Sequence, residues 1–270
     1  YNAAQDALHI MPIDWPVPPI AGSPDSRNGQ VVVDAITTAA KFCRSGAASG
    51  MVTNPIQKSS LYDAGFGYPG HTEFLASLGQ VDAGGPMMML ACDDLKVVPL
   101  TIHIPISAVA GSLSQDIIIA AGHLLDASLK RYFAMTAPRI AVTGLNPHAG
   151  ENRSIGNEDQ DIIQPAITRL QQTGINITGP HPADTLFHAE ARKTYDAVPG
   201  MYHDQVLIPV KALDFFGGVN ITLGLDFIRT SPDHGTGLDI AGSGTARPDS
   251  LMTAIKMARK MAATAQALST

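Results

Sequence analysis

Cysteine is nearly absent: only Cys43 and Cys92 occur in 270 residues, and they form no CxxC pair. That excludes a disulfide framework and a thiolate zinc site, and it fits a reducing compartment, so the chain is expected to be cytoplasmic. Charge is sparse as well. Charged residues make up 16% of the chain, its 18 lysines and arginines are scattered mostly singly, and the net charge is -6. With no basic stripe to track a phosphate backbone, nucleic acid is not expected as a partner. Long apolar runs are missing too. The most apolar stretches, residues 86–91 and 117–121, fall far short of the ~20 residues of a membrane span, and no basic-then-apolar signal opens the chain. No membrane association is expected.

What is present is a 45% hydrophobic chain long enough to bury a full core, as one large domain or two lobes around a cleft. Short β-branched or apolar runs alternate with helical patterns, and turn residues mark most junctions, a rhythm that predicts an α/β fold. Helices are predicted over residues 31–45, 72–78, 114–133 and 160–173. Strands are predicted over residues 48–53, 87–91, 97–102, 139–143 and 197–201, the second and third joined by a Cys92-Asp93-Asp94 turn.

Three histidines stand in polar turns that follow such strands: His103 in Thr-Ile-His-Ile-Pro, His148 in Asn-Pro-His-Ala-Gly-Glu and His203 in Tyr-His-Asp-Gln. Ligands of open α/β sheets gather outside the carboxyl ends of strands, so residues far apart in sequence can meet there. Neutral imidazoles from separate loops can hold a divalent metal and leave positions open for a substrate. A single loop histidine is more often a surface or hydrogen-bonded residue, and His9, His123 and His188 read that way. His181 lies in another strand-end loop with Asp184. Asp184 and Asp204 are of a type that orients imidazoles.

A second set of residues suits an anion. Gly70-His71-Thr72-Glu73 opens a helix, where free amides and the dipole favour a phosphate or carboxylate. Lys211, Asn220 and Arg229 recur at nine-residue intervals beside apolar residues of strand type, where a cation usually needs an anionic partner. The plain alternative is that Lys211 and Arg229 are solvated or ion-paired. Residues 65–70 match GxGxxG, but a helical pattern over residues 58–64 precedes them and Pro69 stiffens the turn, so this is no dinucleotide fingerprint. The stronger nucleotide candidate is the small-residue loop 233–242, in which Asp239 can accept from ribose hydroxyls.

Together, Thr53-Asn54-Pro55-Ile56-Gln57-Lys58, Pro69-Gly70-His71-Thr72-Glu73-Phe74, Leu145-Asn146-Pro147-His148-Ala149-Gly150-Glu151, Tyr202-His203-Asp204-Gln205 and Gly218-Val219-Asn220-Ile221-Thr222-Leu223-Gly224 resemble the 4-hydroxythreonine-4-phosphate dehydrogenase family of pyridoxal phosphate biosynthesis. Loop 233–242 also resembles the cofactor loop of isocitrate and isopropylmalate dehydrogenases. The resemblance implies a non-Rossmann fold of that type, with two α/β lobes around a central cleft: residues 1–73 and 226–270 as the nucleotide-binding lobe, and residues 74–225 as the metal, substrate and dimerisation lobe. It implies His103, His148 and His203 as metal ligands, and His71, Thr72, Lys211, Asn220 and Arg229 as substrate-binding residues. His234, Gly235, Thr236 and Asp239 would contact NAD or NADP, with Lys211 and Asp204 catalytic and Lys58 a neighbour.

The implied metal is zinc, cobalt, magnesium or manganese, and the implied assembly is a homodimer that shares its active site, one metal ligand coming from the second subunit. Members of that family open with a strand and a Gly-Asp-Pro-type loop, whereas this sequence starts at Tyr1-Asn2-Ala3, so part of the nucleotide lobe is expected to be absent from it. The same residues also fit a related dehydrogenase of phosphorylated sugar acids or dihydrodiol carboxylates, a three-histidine metallohydrolase, or a metal-dependent binder without turnover.

Overall fold

The run Met87–Cys92 (β2) is apolar at every position, as a strand covered on both faces must be. Its side chains separate with the period of two: Met87, Met89 and Ala91 enter one core cluster, Leu90 and Cys92 another. A computed structural model, which describes residues 9–268, builds a sheet around it. The other strands are Met51–Val52 (β1), Leu95–Pro99 (β3), Ile140–Thr143 (β4), Ile177–His181 (β5), Val198–Gly200 (β6), Val219–Leu223 (β7) and Arg229–Pro232 (β8). Six of them form a mixed sheet in the order β1-β8-β7-β2-β3-β6. The parallel pair β4-β5 continues it beyond β6, because Ile140 bridges Ala197 and the Ala141 N–H donates to the Ala197 carbonyl at 3.1 Å. The residues Tyr1-Asn2-Ala3, on which the absence of a first strand was expected, lie outside the described residues.

Helices cover both faces: Gly29–Arg44 (α1), Lys58–Asp63 (α2), His71–Leu78 (α3), Val109–Ser112 (α4), Gln115–Phe133 (α5), Gln164–Gln172 (α6), Ala189–Arg192 (α7), His203–Leu213 (α8) and Asp249–Ala267 (α9). The main core lies between one sheet face and α5, α6 and α9. α5 begins where predicted, because the Ser114 hydroxyl accepts from the Ile117 N–H. Its Gly122 lets α6 approach closely, since a Cβ there would sit 2.5 Å from a Leu170 methyl. α8 packs on the other face against β2, β3 and β6 through Val206, Leu207 and Val210. A third cluster joins α1, α2 and α3 beside β1. No single helix among the described residues is long and apolar enough to cross a membrane.

Two details of this α/β fold position the site. First, β3, β6 and β4 are parallel neighbours, so the turns after them emerge at one edge of the sheet. β3 starts and ends earlier than predicted: Leu95 pairs with Cys92 across the turn, and the strand stops at Pro99, which releases the loop that carries His103. Second, β7 alternates. Val219, Ile221 and Leu223 enter the core, while Asn220 and Thr222 face the other way. The register sets Thr222 between Met88 and Arg229, and Asn220 between Leu90 and Ser231. α8 stops short of this polar face of β7 and β8, which becomes the floor of a cleft.

Candidate active site

The cleft holds about 920 Å³. Its floor carries Arg229, 4% exposed, whose guanidinium donates to the Thr53 hydroxyl through Nε (3.1 Å) and Nη2 (2.7 Å) and to the Thr222 hydroxyl through Nη1 (3.0 Å). No carboxylate pairs with it among the described residues. Burial alone pulls its pKa from the ordinary 12.5 down to about 10. A desolvated cation satisfied only by hydroxyls is a cation still short of a counter-ion.

The remaining anion candidates converge on it. Asn220 lies on the floor, and His71 and Thr72 stand at the wall where α3 begins, its first turn uncapped by any side chain. The His71 imidazole is held down to about 4, mainly by burial and then by the charges of Arg229 and Lys58. Lys211, on α8 and not on a strand as its apolar surroundings suggested, enters from the side and pairs with Asp233 at 2.9 Å. Turn 65–70 follows helix α2, as its rejection as a dinucleotide fingerprint requires; its Gly70 is the residue from which α3 starts. The uncapped start of α3, three cations (Lys58, Lys211 and Arg229) and a neutral imidazole thus line one cleft.

His103 lines this cleft and also a neighbouring cavity of about 340 Å³ that it shares with His203 and Asp204. The His103 and His203 rings lie 5.9 Å apart between centroids. The Asp204 carboxylate is 2.7 Å from His203 Nδ1, which leaves Nε2 available as a donor to a metal. Gln205 laces the strand ends together. Its side-chain carbonyl accepts from Thr143 Oγ1 (2.8 Å) and the Met201 N–H (2.7 Å), and its amide donates to the Gly144 carbonyl (2.7 Å). His148, on the turn after β4, lines neither of these cavities. Among the described residues no three His, Cys, Asp or Glu side chains of one chain are gathered closely enough to hold a metal.

Both His103 (φ 51°) and His148 (φ 53°) sit in left-handed backbone. Around His148 the strain is extended: Ala149, Gly150, Glu151, Asn152 and Arg153 also have positive φ. At roughly 1–2 kcal/mol per L-residue, the non-glycine members together cost on the order of 5–10 kcal/mol that surrounding contacts must offset.

The nucleotide candidates divide between the cleft and its surroundings. His234, Gly235 and Thr236 line it, and Thr236 donates to Gln57 at 3.3 Å. Asp239 lies on an exposed turn, Leu238–Ile240, outside the lining. His181 is held by Thr178 at 2.9 Å in a separate cavity, and Asp184 is exposed. Residues that hold others in place were missed. Thr222 was detectable, two positions after Asn220 on the same strand face, whereas Thr53, Asp233 and Gln205 act through contacts that sequence spacing does not carry.

The family model of the pyridoxal phosphate biosynthetic protein PdxA matches residues 1–258. The chain belongs to this family. Among its relatives, 4-hydroxythreonine-4-phosphate dehydrogenase of Ruegeria sp. (strain TM1040) is 54% identical over 266 residues, 98% of this chain and 81% of that protein. The Caulobacter vibrioides enzyme of the same name is 52% identical over 262 residues, 96% of this chain and 79% of that one. The crystal structure of 4-hydroxythreonine-4-phosphate dehydrogenase from Klebsiella pneumoniae superposes with a TM-score of 0.83 at 42% identity, covering 89% of this chain and 72% of that one. A terephthalate 1,2-cis-dihydrodiol dehydrogenase from Burkholderia xenovorans LB400 gives 0.68 at 28% identity, over 89% and 76% of the two chains. The mixed sheet with helices on both faces is thus the architecture of PdxA-family structures.

Proposed function

We propose that this chain oxidises the C3 hydroxyl of 4-phosphohydroxy-L-threonine with NAD or NADP, giving 2-amino-3-oxo-4-phosphooxybutanoate, which loses carbon dioxide. The observation that carries the reading is the buried, carboxylate-free Arg229 in a cleft whose lining also includes His103 and His234 to Thr236. The substrate phosphate sits on Arg229, Lys211, Asn220, His71, Thr72 and the first amides of α3. Thr53 and Thr222 keep the guanidinium aimed into the cleft, and the half-buried, neutral His71 donates one hydrogen bond to a phosphate oxygen. This arrangement points C3 towards the His103–His203 cavity.

Those two imidazoles fit a divalent ion of borderline type by donor chemistry, and His148 is the third ligand, so that a homodimer with a shared site completes a set that one chain leaves open. A zinc, magnesium, cobalt or manganese ion held there supplies Lewis acidity to the oxygen on C3. His234, Gly235, Thr236 and Asp239 would hold the adenosine half of the dinucleotide cofactor, whose nicotinamide ring would supply the hydride acceptor. The chain itself handles the proton. The hydroxyl proton leaves to a water held at Asp204, or to Lys211 as that ammonium hands one of its own protons to the paired Asp233 carboxylate, while the C3 hydrogen departs with its electron pair. The C–C bond to the carboxylate then breaks, its electron pair stays on carbon, and a proton returned from the same relay completes the product.

The isocitrate and isopropylmalate dehydrogenase-like division into lobes 1–73 with 226–270 and 74–225 belongs to this reading, and the cleft's lining from both segments supports it. So does a cytoplasmic location. The test is absorbance of reduced nicotinamide with 4-phosphohydroxy-L-threonine, NAD or NADP and each metal in turn. Metal-dependent reduction that disappears in His203→Ala is expected; saturable cofactor binding without reduction would transfer the activity to another substrate, and no cofactor binding would refute a dehydrogenase.

A further inference from the structure

The left-handed run that starts at His148 contains a single glycine, Gly150, so the local sequence does not explain why it holds. Its anchor lies on the next element. Asp159, fully buried, opens the single π-helical turn Asp159–Ile163 and turns its carboxylate back onto the loop. Oδ1 accepts from the Leu145 N–H (2.8 Å), and Oδ2 accepts from the Asn146 N–H (3.1 Å) and Asn146 Nδ2 (2.9 Å). No lysine, arginine or histidine pairs with it among the described residues. Two glycines give it room: a Cβ on Gly144 would stand 2.6 Å from Oδ1, and one on Gly150 3.3 Å from Oδ2.

The grip is passed along the chain. Asn146 also donates Nδ2 to Glu158 (2.8 Å), and its carbonyl accepts from the Ala149 N–H (3.0 Å), directly after His148. At the far end Arg153 pairs with Asp161 (2.6 Å), so both ends of the strained turn are tied to one segment, residues 158–161.

A buried carboxylate that spends all its bonds on the two residues before Pro147-His148 is badly placed as a surface charge and well placed as a clamp. We propose that Asp159 is a positioning residue: it holds the left-handed turn after β4 and thereby aims the His148 imidazole at the metal. The assignment rests on His148 being a metal ligand, as proposed above. Asp159 touches neither metal nor substrate and acts only through His148.

The test uses the full-length chain in its native assembly, with Co²⁺ as probe, titrated by visible absorption and calorimetry in wild type, His148→Ala, Asp159→Asn and the double variant. Asp159→Asn keeps the shape but sets an NH₂ against one of the backbone N–H groups that Asp159 now accepts. The expected outcome is a 10- to 100-fold weaker Co²⁺ affinity, the usual effect of removing a group that orients a ligand. Faster amide exchange confined to residues 145–155 should accompany it.

In the His148→Ala background the Asp159→Asn change should cost nothing further; multiplying losses would overturn the proposal, because they would mean that Asp159 acts elsewhere. Unchanged Co²⁺ affinity in Asp159→Asn alone would overturn it too, while unchanged affinity in His148→Ala would instead remove the metal reading on which it rests. If Asp159→Asn does not fold, Asn146→Ala carries the test. It cuts the link to Asp159 and Glu158 and should weaken Co²⁺ several-fold in the His148 protein and not at all in His148→Ala.

Discussion

Replacing Arg229 by methionine should make the ligand-free protein more stable while destroying its affinity for phosphate. The guanidinium is 4% exposed, and burial brings its pKa from 12.5 to about 10. At about 1.4 kcal/mol per tenfold change in proton affinity, the charged form carries a penalty of about 3 kcal/mol in the empty cleft. Against this stand the bonds to the Thr53 and Thr222 hydroxyls, which can rotate to other acceptors, so their loss returns only about 1–2 kcal/mol. Methionine fills similar volume without a charge. The net expectation is a gain of about 1–2 kcal/mol, a rise in Tm of roughly 2–6 °C.

Scanning fluorimetry with inorganic phosphate supplies the other half of the test. Wild type should gain Tm with millimolar phosphate through mass action, and Arg229→Met should not. A variant that melts several degrees lower without ligand would refute the reasoning, because it would show that Arg229 is held as part of the core and not kept in reserve for an anion.

Two further perturbations follow from the same geometry. His71 has its folded pKa lowered to about 4, by burial first and then by Arg229 and Lys58, against about 6.5 in the unfolded chain. Both states are neutral above pH 6.5. Below it only the unfolded chain takes up the proton, so stability should fall between pH 6.5 and 4 by up to about 3 kcal/mol, a slope in urea midpoints that His71→Asn should flatten; equal slopes in both proteins would exclude His71 as its source. Gln205→Ala strips partners from the Met201 N–H and the Gly144 carbonyl, both at the bases of histidine turns, and should cost about 2–4 kcal/mol in denaturant unfolding. A loss below about 0.5 kcal/mol would mean that these turns are held by their strands alone.

Much of the site was legible because its residues announce strand ends. Apolar runs that stop at turn residues marked where His103, His148 and His203 emerge, and the alternation of Val219 to Leu223 put Asn220 on the opposite face from the core. Lys211 was misplaced for a physical reason: Val206 to Val210, with Pro209 inside, has the composition of a buried strand, yet it packs as α8 through Val206, Leu207 and Val210. The predicted strand 48–53 shrank to Met51–Val52, where Gly50 runs against Ile228 and the chain is still leaving the turn after α1. The left-handed turn was invisible, since Ala149, Glu151 and Arg153 carry no local signal for positive φ and the clamp lies outside the motif that names His148.

A sequence displays charges but not their partners, and here the partners decide the reading. Arg229 and Asp159 are both buried, and each bonds only to groups of no net charge: Arg229 on the floor of the cleft, Asp159 at the turn that carries His148. A fold selected for stability alone would pair such charges with opposite ones or replace them by apolar groups of equal size, which is often neutral or stabilising. Keeping a cation without a carboxylate holds a place open for an anion. Keeping a carboxylate without a cation lets it spend every bond on a backbone that would otherwise relax. In the proposed reading the two places therefore differ in kind: the phosphate site waits for its counter-ion, while turn 148–153 holds its bonds and its strain with no ligand present.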